Sequence, residues 1–167
     1  MILDQNLRFG STGAITTAST YVCADVVNLQ ASTAYSATAS GGLYTVAQGT
    51  QNREIGSGTD LYVYFTVTTA LAGGTNATFQ AVASSSATLA SGNIVVGEVS
   101  LIVTANLGVG QQVAVRVSPQ LLGAAALQYL GAQVVTTGTH TAGAISADLA
   151  MDIQDGKRVY ASGFSVV

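Results

Sequence analysis

The sequence contains very little charge. Of its 167 residues, 8% are Asp, Glu, Lys or Arg, and five Lys plus Arg leave a net charge of −3. A typical soluble domain carries roughly 25% charged residues. Proteins that bind nucleic acid or anionic lipid neutralise phosphates with clustered cations. The shortage of Lys and Arg therefore argues against nucleic acid and against a membrane surface as partners.

Cysteine, histidine and tryptophan are equally scarce. Cys23 is the single cysteine, so no intrachain disulfide can form, which suits a reducing cytosol. It lies in an apolar run, where we predict a buried, inert thiol. His140 is the single histidine, and we expect it to be exposed in a turn between strands. One His and one Cys cannot build a zinc site. A Ser-His-Asp triad would have to use His140, and the sequence contains no G-x-S-x-G elbow for its serine. No Trp is present to stack on a sugar. The sequence predicts no enzyme activity, no cofactor and no metal site.

Long hydrophobic segments are absent too. The N-terminal residues lack the basic start and apolar stretch of a secretory signal, and no run of 18 apolar residues occurs. We therefore expect neither a leader peptide nor a transmembrane helix.

The dominant positive pattern is alternation with a period of two. In residues 61–68 apolar side chains at odd positions alternate with Tyr and Thr, and residues 113–118 and 145–154 repeat the pattern. Such alternation predicts antiparallel strands with one face in a core. Enrichment in β-branched and aromatic residues predicts further strands at 20–29, 76–83, 98–105 and 129–137.

Glycine-rich breaks separate these segments, as turns between short strands require. Seven or eight strands with regular turns predict an all-β, single-domain antiparallel β-sandwich or barrel spanning residues 1–167. At most one short helix is expected, at residues 119–128, where Pro119 suits a first turn but Gly123 weakens it. Residues 30–52 are interpreted as a long loop or small hairpin.

Three aspartates near the C-terminus are the best candidate cation ligands. Asp148 and Asp152 lie on the outward face of a predicted strand, and Asp155 follows. Converging carboxylates could hold a hard cation, but the D-x-D-x-D-G loop is missing. We favour a solvated strand face.

Features of the strands and of the N-terminus point to protein contacts. Tyrosine is enriched at interfaces because it combines a large ring with a polar tip, although ordinary cross-strand packing also accounts for it. One Pro and one Lys leave few residues to protect sheet edges. Residues 1–12 are predicted to be an arm that orders against a neighbouring subunit, because its few apolar side chains cannot offset the entropy of ordering. The candidate capsid or self-association contacts are Ile2, Leu3, Leu7, Arg8, Phe9, Tyr62 and Tyr64.

Three stretches carry a family resemblance. They are MILDQNLRF at residues 1–9, IGSGTDLYV at residues 55–63 and TAGAISADLAMDIQ at residues 141–154. Together they resemble the capsid cement (decoration) proteins of tailed bacteriophages of the Bordetella-phage cement type. Two segments depart from that family: residues 30–51 look longer than expected, and residues 156–167 form a C-terminal extension.

The resemblance implies a jelly-roll-like sandwich on the outer capsid surface of the virion, made and assembled in the bacterial host cytoplasm. It further implies two partners, the major capsid protein and a second copy of the chain, and a role in stabilising the shell. The alternatives are a β-sandwich adhesion or carbohydrate-binding module of a phage fibre, and an enzyme on a cupin-like scaffold.

Overall fold

A computed structural model describes residues 8–29, 60–118 and 127–150. These ranges contain no α-helix, and a single 3₁₀ turn, Thr104–Asn106, lies between two strands. The predicted helix at 119–128 falls almost entirely outside the described residues, as do residues 30–51 and 156–167. The strands are β1 (Arg8–Ser11), β2 (Thr20–Val22), β3 (Val27–Asn28), β4 (Tyr62–Gly73), β5 (Asn76–Ser84), β6 (Ile94–Val103), β7 (Gln112–Arg116), β8 (Tyr129–Thr137) and β9 (His140–Ala150).

The strands form two antiparallel sheets that pack face to face. One sheet has four strands in the order β1-β9-β4-β7. The other has five, in the order β2-β8-β5-β6, with β3 also paired to β8. When β2 and β3 are counted as one broken strand, the two sheets interleave eight strands in the order of a jelly roll. The predicted all-β sandwich is confirmed.

The alternating pattern sets which side chains enter the core. On β4, Val63, Phe65 and Val67 are buried, whereas Tyr62 and Tyr64 lie on the outer face. The Phe65 ring packs in an edge-to-face arrangement against the Phe79 ring, which belongs to the opposite sheet. The ring centroids are 5.2 Å apart and the interplanar angle is 67°. This aromatic contact joins the two sheets at the centre of the sandwich.

The N-terminal part of the described chain belongs to the sandwich. Residues 8–11 form β1, and Phe9 is fully buried in the core. The backbone N–H of Asp25 donates to Phe9 O at 2.9 Å, so residues 24–25 close this edge of the four-stranded sheet. The prediction of an arm over residues 1–12 is therefore wrong for residues 8–12, and Phe9 is unavailable as a surface contact. Ile2, Leu3 and Leu7 lie outside the described residues.

On the opposite side of the sandwich, one backbone hydrogen bond joins the two sheets. The backbone N–H of Ser118 donates to Val96 O at 2.8 Å, which links the end of β7 to β6. Gly97 of β6 lies next to this bond and packs directly against the β7 backbone. A Cβ atom at Gly97 would overlap the carbonyl oxygen of Arg116. The end of β7 therefore covers part of the outer edge of β6. This contact does some of the protecting that Lys and Pro residues perform at other sheet edges.

The single histidine is buried at one end of the sandwich, which corrects the expectation of an exposed loop residue. His140 is 1% exposed and begins β9. Its Nδ1 lies 3.1 Å from Gly138 O, and its Nε2 lies 3.3 Å from the Thr104 hydroxyl. A carbonyl only accepts, so Nδ1–H donates and, in the neutral ring, Nε2 accepts from Thr104. The ring occupies the space that a Cβ on Gly74 would need. His140 is therefore a structural plug.

Candidate protein interface

The outer face of the four-stranded sheet collects side chains that sequence patterning had singled out separately. We call it the tyrosine face and define it by Arg8, Tyr62, Tyr64, Arg116 and Asp148. Strand parity places all five on the side away from the core, because their neighbours along each strand are the buried residues. Two predicted contact tyrosines and Arg8 thus share one surface.

Arg8, Asp148 and Tyr64 form one row across three strands. Asp148 of β9 is the register partner of Arg8 on β1 and of Tyr64 on β4. Arg8 Nε lies 3.3 Å from Asp148 Oδ1. Asp148 is only 9% exposed, so the predicted solvated carboxylate is in fact largely covered. Among the described residues its Oδ1 accepts no directed hydrogen bond, so the Arg8 charge is its main compensation.

A second row lies beside the first and is open to solvent. Tyr62 is the register partner of Arg116 on β7. Arg116 Nη2 lies 2.6 Å from Asp60 Oδ1, and the Tyr62 hydroxyl donates to Asp60 Oδ2 at 3.3 Å. Both members of this ion pair are at least half exposed. Each described acid on this face therefore has an arginine beside it.

The chemistry of the tyrosine face suits contact with protein. Arginine and tyrosine are the residue types enriched in the energetically dominant parts of protein interfaces. Within residues 8–29, 60–118 and 127–150 no group of three or more His, Cys, Asp or Glu side chains could hold a metal ion. Asp152 and Asp155, the other proposed cation ligands, lie outside those ranges.

The two arginines make a matched pair for a stability test. Arg8→Ala leaves a largely buried carboxylate without its cation, so the free energy of unfolding should fall by about 1–2 kcal/mol. Arg116→Ala removes an exposed ion pair and should change it by about 0.5 kcal/mol or less. Urea denaturation of both variants measures the difference. Equal losses would mean that the Asp148 carboxylate has compensation other than Arg8.

A second surface was not anticipated from the sequence. We call it the β6 edge, residues 94–103. Large apolar side chains are exposed along it, although the predicted strand began only at Glu98. Apolar residues stand at both odd and even positions here, so alternation could not separate an inner from an outer face. The exposed members are Ile94, Val95, Leu101 and Val103, and Val109 is exposed in the loop that follows.

Cys23 is buried in the core, as predicted. Burial, followed by the negative charges of Asp148 and Asp25, raises the pKa of its thiol from 9.0 to about 12. The unfolded thiol loses its proton above about pH 9, whereas the native thiol keeps it. The free energy of unfolding should therefore fall with rising pH between these values, by about 1.4 kcal/mol per pH unit from this group.

Comparison of the protein with Cys23→Ala isolates this contribution, because all other alkaline titrations are shared. Urea denaturation from pH 8 to 11 should give curves that converge as pH rises. The native thiol should also resist a disulfide reagent at pH 8 and react once urea is added. Rapid labelling of the folded protein would contradict the burial.

The fold and these surfaces define a class: a jelly-roll β-sandwich with interface-type residues on its outside. The Bbp16 family model matches residues 9–149, most of the chain. The chain therefore belongs to the Bbp16 family, which is named for a Bordetella phage protein, and it is phage-related. No curated protein matches it. The part of the chain that the structure describes holds no helix of the length and apolar character needed to span a membrane.

Proposed function

We propose that the chain is a capsid cement protein, which binds the outside of a phage head, bridges neighbouring major capsid proteins and stabilises the shell. Membership of a phage family and the β-sandwich fold support this role. So does the resemblance of the three sequence stretches to cement proteins. We further propose that the protein has no enzyme activity.

The observation that carries the proposal is the composition of the tyrosine face. In a chain with only five Lys plus Arg, two of the cations lie on this one surface, next to Tyr62 and Tyr64. The tyrosine rings give contact area with little loss of rotamer freedom on binding. The arginines are already held by Asp148 and Asp60, so they are partly ordered before a partner arrives.

The mechanism we propose is mechanical. A packed genome presses outward on the shell and tends to open the joints between its subunits. A rigid sandwich that touches both sides of a joint adds contact area that must be lost before the joint opens. Each contact can be weak, because many copies act on one particle and every copy that touches two subunits gains from multivalency. Low surface charge limits repulsion between copies that are crowded on the lattice.

Heads of the encoding phage that lack this protein provide the test. Added purified protein should sediment with the heads and raise the temperature at which they release DNA. The double variant Tyr62→Ser/Tyr64→Ser should bind at least about tenfold more weakly, as for the loss of interface hot spots. Its circular dichroism should match that of the unchanged protein.

Tyr129→Ser serves as the matched control, because Tyr129 is a half-buried tyrosine on the other sheet. It should bind heads as well as the unchanged protein does. Failure of the unchanged protein to bind heads or to protect them would contradict the proposal. Binding to a glycan array without binding to heads would replace it with the adhesion alternative.

A further inference from the structure

The β6 edge is the longest outer strand in the described part of the chain. It has ten residues, and across them it carries one charged residue, Glu98, and no Lys or Pro. Leu101 is 66% exposed and Val103 is 54% exposed. Within the described residues the end of β7 covers the strand near Val96, through the Ser118 hydrogen bond. Proteins commonly cover such an apolar edge with another segment of the same chain.

Leu101 is held outward at a conformational cost. A bulge interrupts the pairing of β6 with β5 between Val99 and Ile102, and Leu101 lies in it. Its φ is +57°, in the left-handed region that disfavours a large side chain. Its N–H donates to the Thr78 hydroxyl at 3.3 Å, which helps to fix this geometry. A strained backbone that points a leucine into water indicates that something packs on that leucine.

The C-terminal end of the described chain lies close to this edge. Ala150 of β9 and Arg116 of β7 are both register partners of Tyr62. They therefore lie two strand spacings apart, about 10 Å. The carbonyl of Arg116 in turn packs against Gly97 of β6. The chain that follows Ala150 thus starts a short distance from the β6 edge.

The residues after Ala150 are numerous enough to follow β6. Residues 151–155 can span up to about 17 Å, so residue 156 can reach Gly97. Residues 156–167 can span up to about 40 Å, whereas Gly97 and Val103 are about 20 Å apart along the strand. The covalent tether gives the segment an effective concentration on the order of mM at the edge. A weak contact is therefore enough to keep it there.

The charges of the two parts are complementary. Lys157 and Arg158, two of the five cations of the chain, stand near the start of the C-terminal extension. The two acids of the tyrosine face already lie beside an arginine each. Glu98, at the middle of the β6 edge, instead accepts from the neutral amide of Gln80, whose Nε2 lies 2.6 Å from Glu98 Oε2. Glu98 is therefore a site where cations of the extension can pair.

The apolar residues of the two parts match as well. After its cations the extension continues with VYASGFSVV, which contains no charge. Tyr160, Phe164 and Val166 stand at even positions, so they would share one face of an extended segment. Burial of these side chains against Leu101 and Val103 removes apolar surface of both parts from water, which favours the contact.

We propose that the C-terminal extension, residues 156–167, docks on the β6 edge of its own chain. Its cations pair with Glu98, and its apolar side chains cover Leu101 and Val103. Bulges interrupt β6, so side chains make the contact and not a continuous backbone ladder. The docked extension shields the strand from edge-to-edge aggregation. This role goes beyond the proposed function, because it needs neither a capsid nor any other partner.

Cross-linking of introduced cysteines in the full-length protein tests the proposal. Ser100→Cys places a thiol at an exposed position of the β6 edge, and Ser165→Cys places one in the extension. Thr20→Cys with the same Ser165→Cys is the matched control, because Thr20 is exposed on the other edge of the five-stranded sheet. In dilute solution the first pair should form an intrachain disulfide at least about tenfold faster than the control pair, since docking raises the local thiol concentration. Cys23 is buried and does not compete.

Substitutions at the contact separate docking from chance collision. Glu98→Gln and Leu101→Asn should each slow the cross-link between positions 100 and 165 towards the control rate, and asparagine tolerates the left-handed φ. Asp25→Asn removes an exposed carboxylate beside β1 and should leave the rate unchanged. Equal rates for the two cysteine pairs, or disulfides mainly between two chains, would overturn the proposal. Head binding is measured separately, so a protein that protects heads without docking its extension leaves the proposed function standing.

Discussion

Phe65→Ala should lower the free energy of unfolding by about 3–5 kcal/mol. The Phe65 ring is fully buried and contacts the Phe79 ring of the opposite sheet. Removing it deletes apolar contacts and leaves a cavity between two sheets that are tied by their hydrogen-bond ladders and so collapse only partly. Urea denaturation followed by circular dichroism measures the loss.

Tyr64→Ala is the matched control, because Tyr64 is the preceding residue on β4 and points to the outer face. Its loss should cost about 1 kcal/mol, since an outer-face side chain contributes mainly cross-strand contacts. A larger loss of unfolding free energy for Phe65→Ala than for Tyr64→Ala would show that Phe65 faces the core and Tyr64 faces outward. Equal losses would show that the strand does not have the register described.

Gly74→Ala should destabilise the protein by about 2–4 kcal/mol. Gly74 has a φ of +61°, which costs an alanine about 1 kcal/mol. A Cβ there would also overlap the ring of His140, and overpacking a filled site typically costs about 1–3 kcal/mol more. The ring cannot move aside easily, because both of its nitrogens are within hydrogen-bond distance of Gly138 and Thr104.

Gly92→Ala separates the two causes. Gly92 has a similar φ of +67°, but nothing lies within 4 Å of a Cβ placed there, so its penalty should be about 1 kcal/mol. In a His140→Ala background, the added penalty of Gly74→Ala should fall to about that of Gly92→Ala. An undiminished penalty in that background would contradict the plug role of His140, and thermal or urea denaturation of the four variants measures it.

Local patterns in the sequence predicted most of the strands. Alternation over residues 61–68 gave both the existence of β4 and the correct buried side, because side chains of a strand alternate between two environments. Gly73-Gly74 and Gly138 marked the turns before β5 and β9, since both turns use backbone with positive φ. The segment 20–29 was predicted as one strand but is two short ones, β2 and β3, because residues 24–25 leave β8 to pair with β1.

The candidate interface was only partly predictable. Tyr62 and Tyr64 were placed on an outer face from their alternation with apolar residues. No local sequence pattern predicts that Arg8 and Arg116 lie beside them, because their positions depend on the register of β1 and β7 against strands that are distant in the sequence. Phe9 was assigned to an arm because a short N-terminal segment alone cannot offset its ordering entropy. Hydrogen bonds to β9 and to Asp25 supply the additional stabilisation that orders this segment.

The sequence by itself determined the class of fold, the parity of the well-patterned strands and the burial of Cys23, because these follow from composition and from a period of two residues. Only the tertiary structure determined that His140 is a plug, that Asp148 is covered beside Arg8, and that Leu101 and Val103 stand exposed on an outer strand. Those properties arise from pairings between residues far apart in the chain, and no local pattern encodes which distant strand lies alongside.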